Sequence, residues 1–595
     1  MDRHREKRRV FSGLSGSTSS KLYCRRTRQL LWEKWVAFRS CLTGAEFLGL
    51  ACQCAGLYPR PPRAAVLFLN GRYGAGTCRS VSGTQLTGAD IPRDLPKQSL
   101  SRLVLERHYR VLVSRYPVLA VPTGSVGARR KEFDRRIELS TTLAPGAAYR
   151  ADRTRVAELN QRELERFAAR TGRSKALLDR ARNVMPAGTP MSWMAGYYMH
   201  PQLYVAGGEG ARFFDVDGNA YVDMNVADLS ATLGYGIPAV EEPMVRQFRN
   251  GAHYLLPTED AVVAAHSLGR LMGLPFWQFT LAASGANTEI MRIARHITGR
   301  RKLIVFEGKY HGHIEETLVK FDGERVVPEY QGLSGRRSED TIILPFNDLD
   351  AVAATLESRE VALVLTEPAL TNCSLVLPDP GYLEGLRRIT AETGTMLCID
   401  ESHTFSFAYG GLTRLWNLQS DFITLGKGLG SGLAFAAYGM TDTIGDHVEK
   451  HLDILHRTPG IGLGGTLYGN ALSMACARAV LEHVLTEDAF NRISALGSRM
   501  ADGIDAICRD LDLPCRAFRI GPRSGLCLTP ELPRNYAEAR LSMDFDMLDA
   551  RRVFMANRGY WDCIVSAGPQ ASFAHGKEDI DGYVDLMHEF MKNIK

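Results

Sequence analysis

The chain has 595 residues, too many for a single hydrophobic core, and its length predicts two or three domains. About 45% of the residues are apolar, but the longest apolar runs, such as 64–69 and 361–365, are far shorter than the roughly 18 residues of a membrane span. The net charge of +6 arises in residues 1–150, which hold 27 Lys and Arg against 10 Asp and Glu. The remaining, acidic part gives no electrostatic reason to expect nucleic-acid binding.

Twelve cysteines are scattered along the chain, and only Cys52 and Cys54 lie close together. Neither has further ligands at the spacing that metal sites use. We therefore expect reduced thiols, no metal site and a cytoplasmic location.

The first 150 residues differ in composition from the rest. Met1 is followed by no methionine until Met185, whereas residues 185–595 contain 17. The segment is rich in arginine, is interrupted by glycine and proline, and has no sustained helical or strand period. Three interpretations are open: a start codon assigned too far upstream, an Arg- and Ser-rich transit peptide, or a basic, disordered or accessory extension.

From Asp152 onward the pattern is that of a folded protein. Apolar residues at near-helical spacing predict helix over Asp152–Val184. A turn at Asp217–Asn219 between apolar segments predicts a β-hairpin within Gly207–Asp223.

Short apolar runs then alternate with helical stretches. The predicted strands are Leu303–Phe306, Ile342–Leu344, Val361–Leu365, Met396–Ile399 and Phe435–Tyr438. This alternation is typical of a parallel sheet covered by helices, in which functional groups lie beyond the carboxyl ends of the strands. Glu367, Asp400 and Lys427 fall at or just past such ends. The part from Val480 predicts a smaller second domain.

Lys427 stands in the glycine-rich segment Thr424–Gly432, and Asp400 closes the apolar run that begins at Met396. A lysine at a strand end can form a Schiff base with an aldehyde, and glycines let a cofactor approach the backbone. A carboxylate at a neighbouring strand end can keep a pyridine nitrogen protonated, which makes the ring an electron sink. The pair predicts a pyridoxal phosphate site, although either residue alone is more simply a surface lysine or a strand cap.

Five motifs in a fixed order extend this interpretation. They are Asp215–Asp223, Phe306–His313, Ile399–Glu401, Thr424–Lys427 and Gly465–Asn470. On these motifs, residues 151–595 resemble class III, fold type I pyridoxal phosphate aminotransferases, most closely the group of glutamate-1-semialdehyde 2,1-aminomutase and the β-amino acid aminotransferases. The resemblance is specific for fold and cofactor and weak for substrate.

The resemblance implies an α/β fold with two domains. A large domain, residues 235–475, would hold a mostly parallel sheet flanked by helices and would bind the cofactor. A smaller α+β domain would combine residues 151–234 and 476–595. A homodimer is also implied, because Thr466 resembles a threonine that reaches the cofactor phosphate of the partner subunit.

The resemblance also assigns roles to single residues. Lys427 would be the Schiff-base lysine and then the base that moves a proton at the substrate carbon, while Asp400 would pair with the pyridine nitrogen. Tyr310 would stack on the ring, and His311 would shape the adjoining turn. Glu367 resembles an acid that the family has beneath the cofactor, although a plain strand cap would give the same pattern.

Two departures concern cofactor binding. An ungapped alignment replaces the family's Ser-Gly-Thr-Glu phosphate loop by Ala282, Ala283, Ser284 and Gly285, which could still bind phosphate through backbone N–H groups at a helix N-terminus and the Ser284 hydroxyl. An alignment with two residues deleted instead puts Ser284 and Gly285 in the Ser-Gly position. Ser402 stands where the family usually has a valine against the ring, a loss of about 1 kcal/mol of apolar contact.

The substrate pocket departs further from the family. The arginine that holds the substrate carboxylate in the aminomutase has no counterpart in Met185–Trp193. Asp228 stands where the family often has an aromatic residue, and Tyr235 replaces the histidine of a Gly-His turn. We hypothesise that Met191, Trp193 and Asp228 favour a substrate with an apolar or cationic tail, although Asp228 could simply cap a local turn.

These observations predict a pyridoxal phosphate-dependent aminotransferase that moves an amino group from an amino acid or amine to a keto acid or aldehyde in a ping-pong cycle. Intramolecular transfer of the glutamate-1-semialdehyde aminomutase type is the close alternative, favoured by Phe306–His313 and opposed by the missing arginine. A third alternative is a cofactor-binding protein with impaired turnover, which the retained Lys427, Asp400 and Tyr310 oppose. Small molecules would be its ligands, with no nucleic acid and no membrane.

Overall fold

The computed structural model describes residues 148–453, 457, 459–564 and 568–595. The interpretations of residues 1–147 lie outside this range. The described residues belong to a single structural unit, Gly124–Lys595. Within them, no helix combines the length and the apolar character that crossing a membrane requires.

The described residues form fifteen strands. In chain order they are β1 (Val205–Glu209), β2 (Arg212–Asp215), β3 (Ala220–Asp223), β4 (Phe276–Thr280), β5 (Lys302–Phe306), β6 (Val319–Phe321), β7 (Val326–Pro328), β8 (Thr341–Leu344), β9 (Val361–Thr366), β10 (Met396–Asp400), β11 (Phe422–Leu425), β12 (Ala436–Met440), β13 (Arg516–Ile520), β14 (Arg523–Cys527) and β15 (Tyr560–Trp561).

Sixteen α-helices accompany these strands in the same part of the chain. They are α1 (Arg153–Arg170), α2 (Gly172–Ala181), α3 (Ser192–Tyr197), α4 (Pro238–Asn250), α5 (Glu259–Met272), α6 (Ala283–Thr298), α7 (Gly335–Ser338), α8 (Leu349–Leu356), α9 (Tyr382–Thr393), α10 (Gly411–Leu415), α11 (Asp442–Lys450), α12 (Ala471–Ala479), α13 (Glu487–Asp510), α14 (Tyr536–Leu541), α15 (Phe545–Ala556) and α16 (Lys577–Ile594).

Seven strands form the central sheet, in the order β4-β12-β11-β10-β9-β5-β8. Neighbours from β11 to β8 are parallel, whereas β12 is antiparallel to both strands beside it. β9 is buried along its whole length, as its continuous apolar sequence predicts for a strand covered on both faces. The predicted α/β fold with a mostly parallel sheet is confirmed.

Side chains of β5 alternate between two cores. Leu303 and Val305 pack in the core that contains Ile290 of α6, while Ile304 and Phe306 pack in the core that contains Val352 of α8. Helices therefore cover both faces of the sheet. Polar side chains on its strands can become accessible only at the strand ends.

The five predicted strands are all present, with ends that differ by at most two residues. The last of them, β12, runs against the others, a direction that an apolar run does not encode. The sequence prediction did not include β4. It did put Lys427 after an apolar stretch, and β11 ends two residues before it.

The helix predicted over Asp152–Val184 is divided into α1 and α2 at Thr171, whose backbone is not helical. The predicted hairpin is confirmed, since β2 and β3 pair through the turn at Asp217–Asn219, and β1 adds a third strand. Near the end of the chain, β15 joins the same sheet parallel to β3. The domain boundaries at 234/235 and 475/476 stay a prediction.

Candidate active site

Three predicted site residues lie at the same edge of the central sheet. Glu367 follows β9, Asp400 ends β10, and Lys427 comes two residues after β11. These strands are adjacent and parallel, with Asp400 in register with Thr424, so their carboxyl ends meet. The gathering of polar groups expected from the strand pattern is present.

Lys427 makes an ion pair with Asp228, with 2.7 Å between Nζ and Oδ2. Asp228 lies in a turn, Val226–Leu229, whose four non-glycine residues all have positive φ. This conformation is unfavourable for L residues and needs support from its surroundings. Asp223 provides that support, because its carboxylate accepts hydrogen bonds from the backbone N–H groups of residues 225–227. The conformation of the turn is thus fixed, and it keeps the Asp228 carboxylate next to the Lys427 amine.

Asp400 is buried and accepts four hydrogen bonds. His311 Nδ1 and Asn287 Nδ2 lie 2.9 Å from Oδ2, while the backbone N–H and the hydroxyl of Ser402 lie 3.0 and 2.6 Å from Oδ1. Burial alone would raise the pKa of Asp400, but the interactions with His311, Ser402 and Asn287 outweigh it and hold the pKa below its usual value. Asp400 is therefore an ionised carboxylate, which pairing with a protonated pyridine nitrogen requires.

Asn287, in α6, connects the parts of this site. Its amide nitrogen donates to Asp400 and to the backbone carbonyl of His311 at 3.0 Å, and its carbonyl accepts from the Thr424 hydroxyl at 2.7 Å. Sequence reasoning used Asn287 only to align the phosphate loop. The available signal was a polar side chain which, like that of Glu289, lies among the mostly apolar buried residues of the helix.

The predicted phosphate-binding residues open α6. The helix starts at Ala283 after Ala282, which has no side chain to cap the first-turn N–H groups. Ser284 accepts from the backbone N–H of His313 at 2.9 Å. Gly426, directly after β11, lies beside this helix terminus, since a Cβ built on it would be in van der Waals contact with the Cβ of Ala283 at 3.4 Å.

These groups fit pyridoxal phosphate. An uncapped helix N-terminus suits a phosphate, an ionised buried carboxylate suits a ring nitrogen, and a lysine suits an aldehyde. Ala283 and Asn287, which bonds Asp400, are about one helical turn apart on α6, about 6 Å along its axis. The phosphate end and the ring-nitrogen end are therefore fixed by a single rigid element next to Lys427.

A cavity of about 530 Å³ opens in front of Lys427. Eight aromatic side chains line it: Trp193, Tyr197, Phe306, Tyr310, Phe321, Tyr330, Tyr536 and Phe545. The rings of Trp193 and Tyr310 are nearly parallel, with an interplanar angle of 16° and centroids 6.4 Å apart. Asp228 lines the cavity too, whereas Met191 does not and is 43% exposed.

Glu367 is buried and does not itself line the cavity. Its carboxylate accepts from the backbone N–H and the hydroxyl of Thr371 and from the amide of Asn372, the last at 3.1 Å. Asn372 does line the cavity, and so does His403, whose Nδ1 lies 2.6 Å from the Thr371 hydroxyl. Asn372 and His403 were not predicted from the sequence, because no local sequence pattern relates them to Glu367.

A second lysine borders the cavity and was also missed. The side chain of Lys309 is 5% exposed and donates to the carbonyl of Val319 at 2.7 Å, with Glu329 at 3.9 Å. Burial lowers the pKa of Lys309 to about 8, and Glu329 opposes this only in part. Thr466, by contrast, is exposed and lies outside the cavity lining.

Comparison with known proteins identifies the family. Residues 194–521 match the family model described as Aminotransferase class-III. Glutamate-1-semialdehyde 2,1-aminomutase from Archaeoglobus fulgidus is 30% identical over 428 residues, which are 70% of this chain and 99% of that protein. The protein of that name from Methanothrix thermoacetophila is 32% identical over 433 residues, 70% of this chain and 96% of that protein.

Two solved structures have the same fold. A glutamate-1-semialdehyde aminomutase variant from Pseudomonas aeruginosa in complex with PMP has a TM-score of 0.72 and 34% identity, and the match covers 75% of this chain and 100% of that chain. An omega-transaminase from Sphaerobacter thermophilus has a TM-score of 0.65 and 24% identity over 71% of this chain and 97% of that one.

Fold and site together define a pyridoxal phosphate-dependent enzyme of fold type I, acting on small molecules. The chain belongs to the class-III aminotransferase family.

Proposed function

We propose that the enzyme transfers an amino group between separate molecules, from an amino acid or amine to a keto acid or aldehyde. The observation that supports this best is the arrangement of three groups at the sheet edge. They are Lys427 in its ion pair with Asp228, Asp400 with its four donors, and the uncapped start of α6.

In this proposal each group has a separate task. Asp400 holds the ring nitrogen of the cofactor, the first turn of α6 holds its phosphate, Tyr310 covers the ring, and Lys427 binds its aldehyde carbon. Pyridoxal phosphate supplies a ring that withdraws electrons from the substrate carbon. Lys427, once its amine is free, is the base nearest that carbon, and Asp228 keeps the amine oriented toward the cavity.

The chemistry of the cavity wall suggests the kind of donor. Eight aromatic side chains line the wall, and the carboxylate of Asp228 adds a negative charge beside Lys427. We infer that the donor has an apolar body or a cationic tail, in contact with Trp193 and Asp228. Met191 lies outside the cavity lining, so its assignment depends on a movement of the segment that carries it.

The second candidate is intramolecular transfer, as the names of the relatives from Archaeoglobus fulgidus and Methanothrix thermoacetophila suggest. The carboxylate clamp predicted to be absent from Met185–Trp193 counts against it. The two functions differ in their need for an acceptor. An isomerised product formed from an amino aldehyde without any added acceptor would favour the mutase.

Absorbance spectra of the purified protein test the proposal directly. We expect a yellow band after addition of pyridoxal phosphate, absent in Lys427→Ala, and a change to the shorter-wavelength pyridoxamine band with a suitable donor. A panel of amines, α-amino acids and β-amino acids identifies that donor. A protein that gives no yellow band with added cofactor would exclude the function, and a band that no donor changes would favour impaired turnover.

We further propose a homodimer in which Thr466 reaches the partner's cofactor phosphate. Support comes from an exposed apolar patch formed by Phe248, Leu255, Leu256 and Leu467. The backbone N–H of Leu472 donates to the carbonyl of Ala252 at 3.1 Å, so the loop with Leu255 and Leu256 lies beside the segment that follows Thr466. An apolar surface of this kind is typical of an interface between subunits.

A cytoplasmic location is likewise a proposal. It is supported by seven free thiols in the described part of the chain, at Cys373, Cys398, Cys476, Cys508, Cys515, Cys527 and Cys563. Fractionation of the cells that produce the protein would test it.

A further inference from the structure

The strongest unassigned feature of the site is a buried chain of hydrogen bonds that starts at Glu367 and ends in the cavity. The Thr371 hydroxyl contacts Glu367 Oε2 on one side and His403 Nδ1, at 2.6 Å, on the other. All three residues are at most 5% exposed. Arg523 fixes the loop around Thr371, donating to the carbonyls of Thr371 at 3.0 Å and Ser374 at 2.6 Å.

The donors and acceptors in this chain of hydrogen bonds follow from the chemistry of its end groups. In the ionised form of Glu367 both oxygens accept, from the Thr371 backbone N–H and from Asn372, and the Thr371 hydroxyl donates to the same carboxylate. The Thr371 hydroxyl has one proton, which it gives to Glu367. Its oxygen must then accept from His403, and the imidazole proton is on Nδ1. Nε2 is left with its lone pair on a ring that lines the cavity.

His403 is also kept neutral. Burial, followed by the positive charges of Lys427 and Arg523 and by His311, holds the pKa of His403 well below its usual range. These groups, with Glu367 through Thr371, are the titratable and charged neighbours of His403 that bear on its protonation. A ring that does not become charged acts as a hydrogen-bond acceptor rather than as a carrier of protons.

We propose that His403 Nε2 is a fixed hydrogen-bond acceptor for the amine nitrogen at the reaction centre, first that of Lys427 and then that of the substrate. Thr371 and Glu367 are positioning residues that hold the imidazole proton on Nδ1. The inference rests on the proposed role of Lys427, because His403 and Lys427 share the cavity and the electrostatic effect of Lys427 reaches the imidazole.

The first test needs no cofactor. Nitrogen NMR of the histidine-labelled apoenzyme distinguishes protonated from unprotonated ring nitrogens, and His403→Gln identifies the His403 signals. We expect the proton on Nδ1. His575 is an internal control with the opposite arrangement, because its Nδ1 accepts the backbone N–H of Ser572 at 2.9 Å and its proton must be on Nε2. A His403 signal like that of His575 would overturn the proposal.

The second test uses the pH midpoint of the yellow band of the loaded enzyme. An acceptor stabilises the protonated amine nitrogen, so His403→Phe should move the midpoint down by about one pH unit, as one hydrogen bond corresponds to about one pKa unit. His403→Gln, which keeps an acceptor, should restore most of the shift. Thr371→Val should shift the midpoint in the same direction, and Thr371→Ser should behave as wild type.

The outcomes separate this inference from the proposed function. A yellow band whose midpoint is the same in His403→Phe and wild type overturns the role of His403 and leaves the function standing. No band in the wild-type enzyme overturns both. A midpoint that falls in His403→Phe and recovers in His403→Gln supports the inference.

Discussion

Tyr235 donates its phenolic hydrogen to Asp223 at 2.7 Å, and this contact connects Tyr235 to the turn that carries Asp228. Asp223 is the residue that holds the left-handed turn Val226–Leu229, and that turn carries Asp228 to Lys427. Tyr235 therefore supports the position of Asp228, and both residues are expected from the sequence to differ from the family pattern. We expect this pair of residues to shape the side of the cavity that the substrate enters.

The first prediction concerns Tyr235→Phe. Burial raises the pKa of Asp223, and loss of the Tyr235 hydrogen bond would raise it further, so the variant should lose about 1–3 kcal/mol of unfolding free energy in urea. The KM for the amino donor should rise as Asp228 loses its position. Tyr221→Phe is the matched control, since its hydroxyl bonds Asp215 at 2.9 Å, outside the cavity lining. It should lose stability with the donor KM unchanged, and equal KM changes in both variants would contradict the prediction.

The second prediction concerns the charge of Asp228. Asp228→Asn removes the carboxylate that pairs with Lys427 and should reduce the preference for donors with a cationic tail by about fivefold, measured as a ratio of kcat/KM values. Asp228→Glu keeps the charge and should keep the preference. If the ranking of donors is the same in Asp228→Asn as in wild type, the assigned role of Asp228 is wrong.

The third prediction concerns Ser402, which we expect to strengthen cofactor binding rather than to weaken it. A valine would gain about 1 kcal/mol of apolar contact with the cofactor ring. It would also remove the 2.6 Å hydrogen bond to Asp400, which as a bond to a charged group contributes about 1.5–3 kcal/mol. Because this hydrogen bond helps to keep Asp400 ionised for the ring nitrogen, Ser402→Val should raise the pKa of Asp400 and bind pyridoxal phosphate more weakly. Ser402→Thr, which keeps the hydroxyl and adds a methyl group, should bind at least as tightly as wild type in an absorbance titration.

The fourth prediction concerns the stability of the folded protein at acidic pH. Burial lowers the pKa of His200 from 6.5 to about 4. The unfolded chain therefore takes up this proton first as the pH falls, and the folded state loses on the order of 3 kcal/mol between pH 6.5 and 4, with no such loss above pH 6.5.

Thermal unfolding at pH 7 and pH 5 measures this effect. The difference in Tm between the two pH values should be smaller in His200→Gln than in wild type. His266→Gln, at an exposed position, is the control and should keep the wild-type difference. An unchanged difference in His200→Gln would show that its protonation is not coupled to unfolding.

The fifth prediction tests the proposed dimer. Leu256 is 71% exposed, and burying a leucine contributes about 1.5–3 kcal/mol, so a charge at each copy of this position should weaken the dimer by a hundredfold or more. Leu256→Asp should sediment as a monomer and lose cofactor affinity. Thr466→Ala should lose cofactor affinity while remaining dimeric. Val184→Asp, at an exposed site outside the patch, should change neither property, and a dimeric Leu256→Asp would contradict the proposed interface.

The sheet and its functional edge could be predicted from the sequence because each signal is local. An apolar run such as Val361–Leu365 indicates a buried strand, and the glycines around Lys427 indicate a close approach of the backbone to a ligand. Asp400 and Lys427 could be assigned to one site from the sequence, because that assignment does not depend on the direction of β12. The orientation of that strand follows from packing that extends over the whole sheet.

The substrate side could not be predicted in the same way. Four left-handed residues that include Val226 and Leu229 have no local preference for that conformation, and tertiary contacts such as those of Asp223 and Tyr235 stabilise it. Ser402 illustrates the same limit. Its position in the sequence indicated the loss of an apolar contact with the cofactor ring. Its contribution to cofactor binding depends on its hydrogen bond to Asp400, and therefore on where Asp400 lies.

The pairing of β15 with β3 has a consequence for biosynthesis. Trp561 accepts from the backbone N–H of Met224, and Ile564 donates to the side chain of Asn225 at 3.0 Å, so residues near the end of the chain support the turn that carries Asp228. The central sheet is complete in sequence at Met440, more than a hundred residues earlier. The central sheet beside Lys427 can therefore form from residues up to Met440, whereas the turn that carries Asp228 gains these contacts only once residues 560–564 have been synthesised.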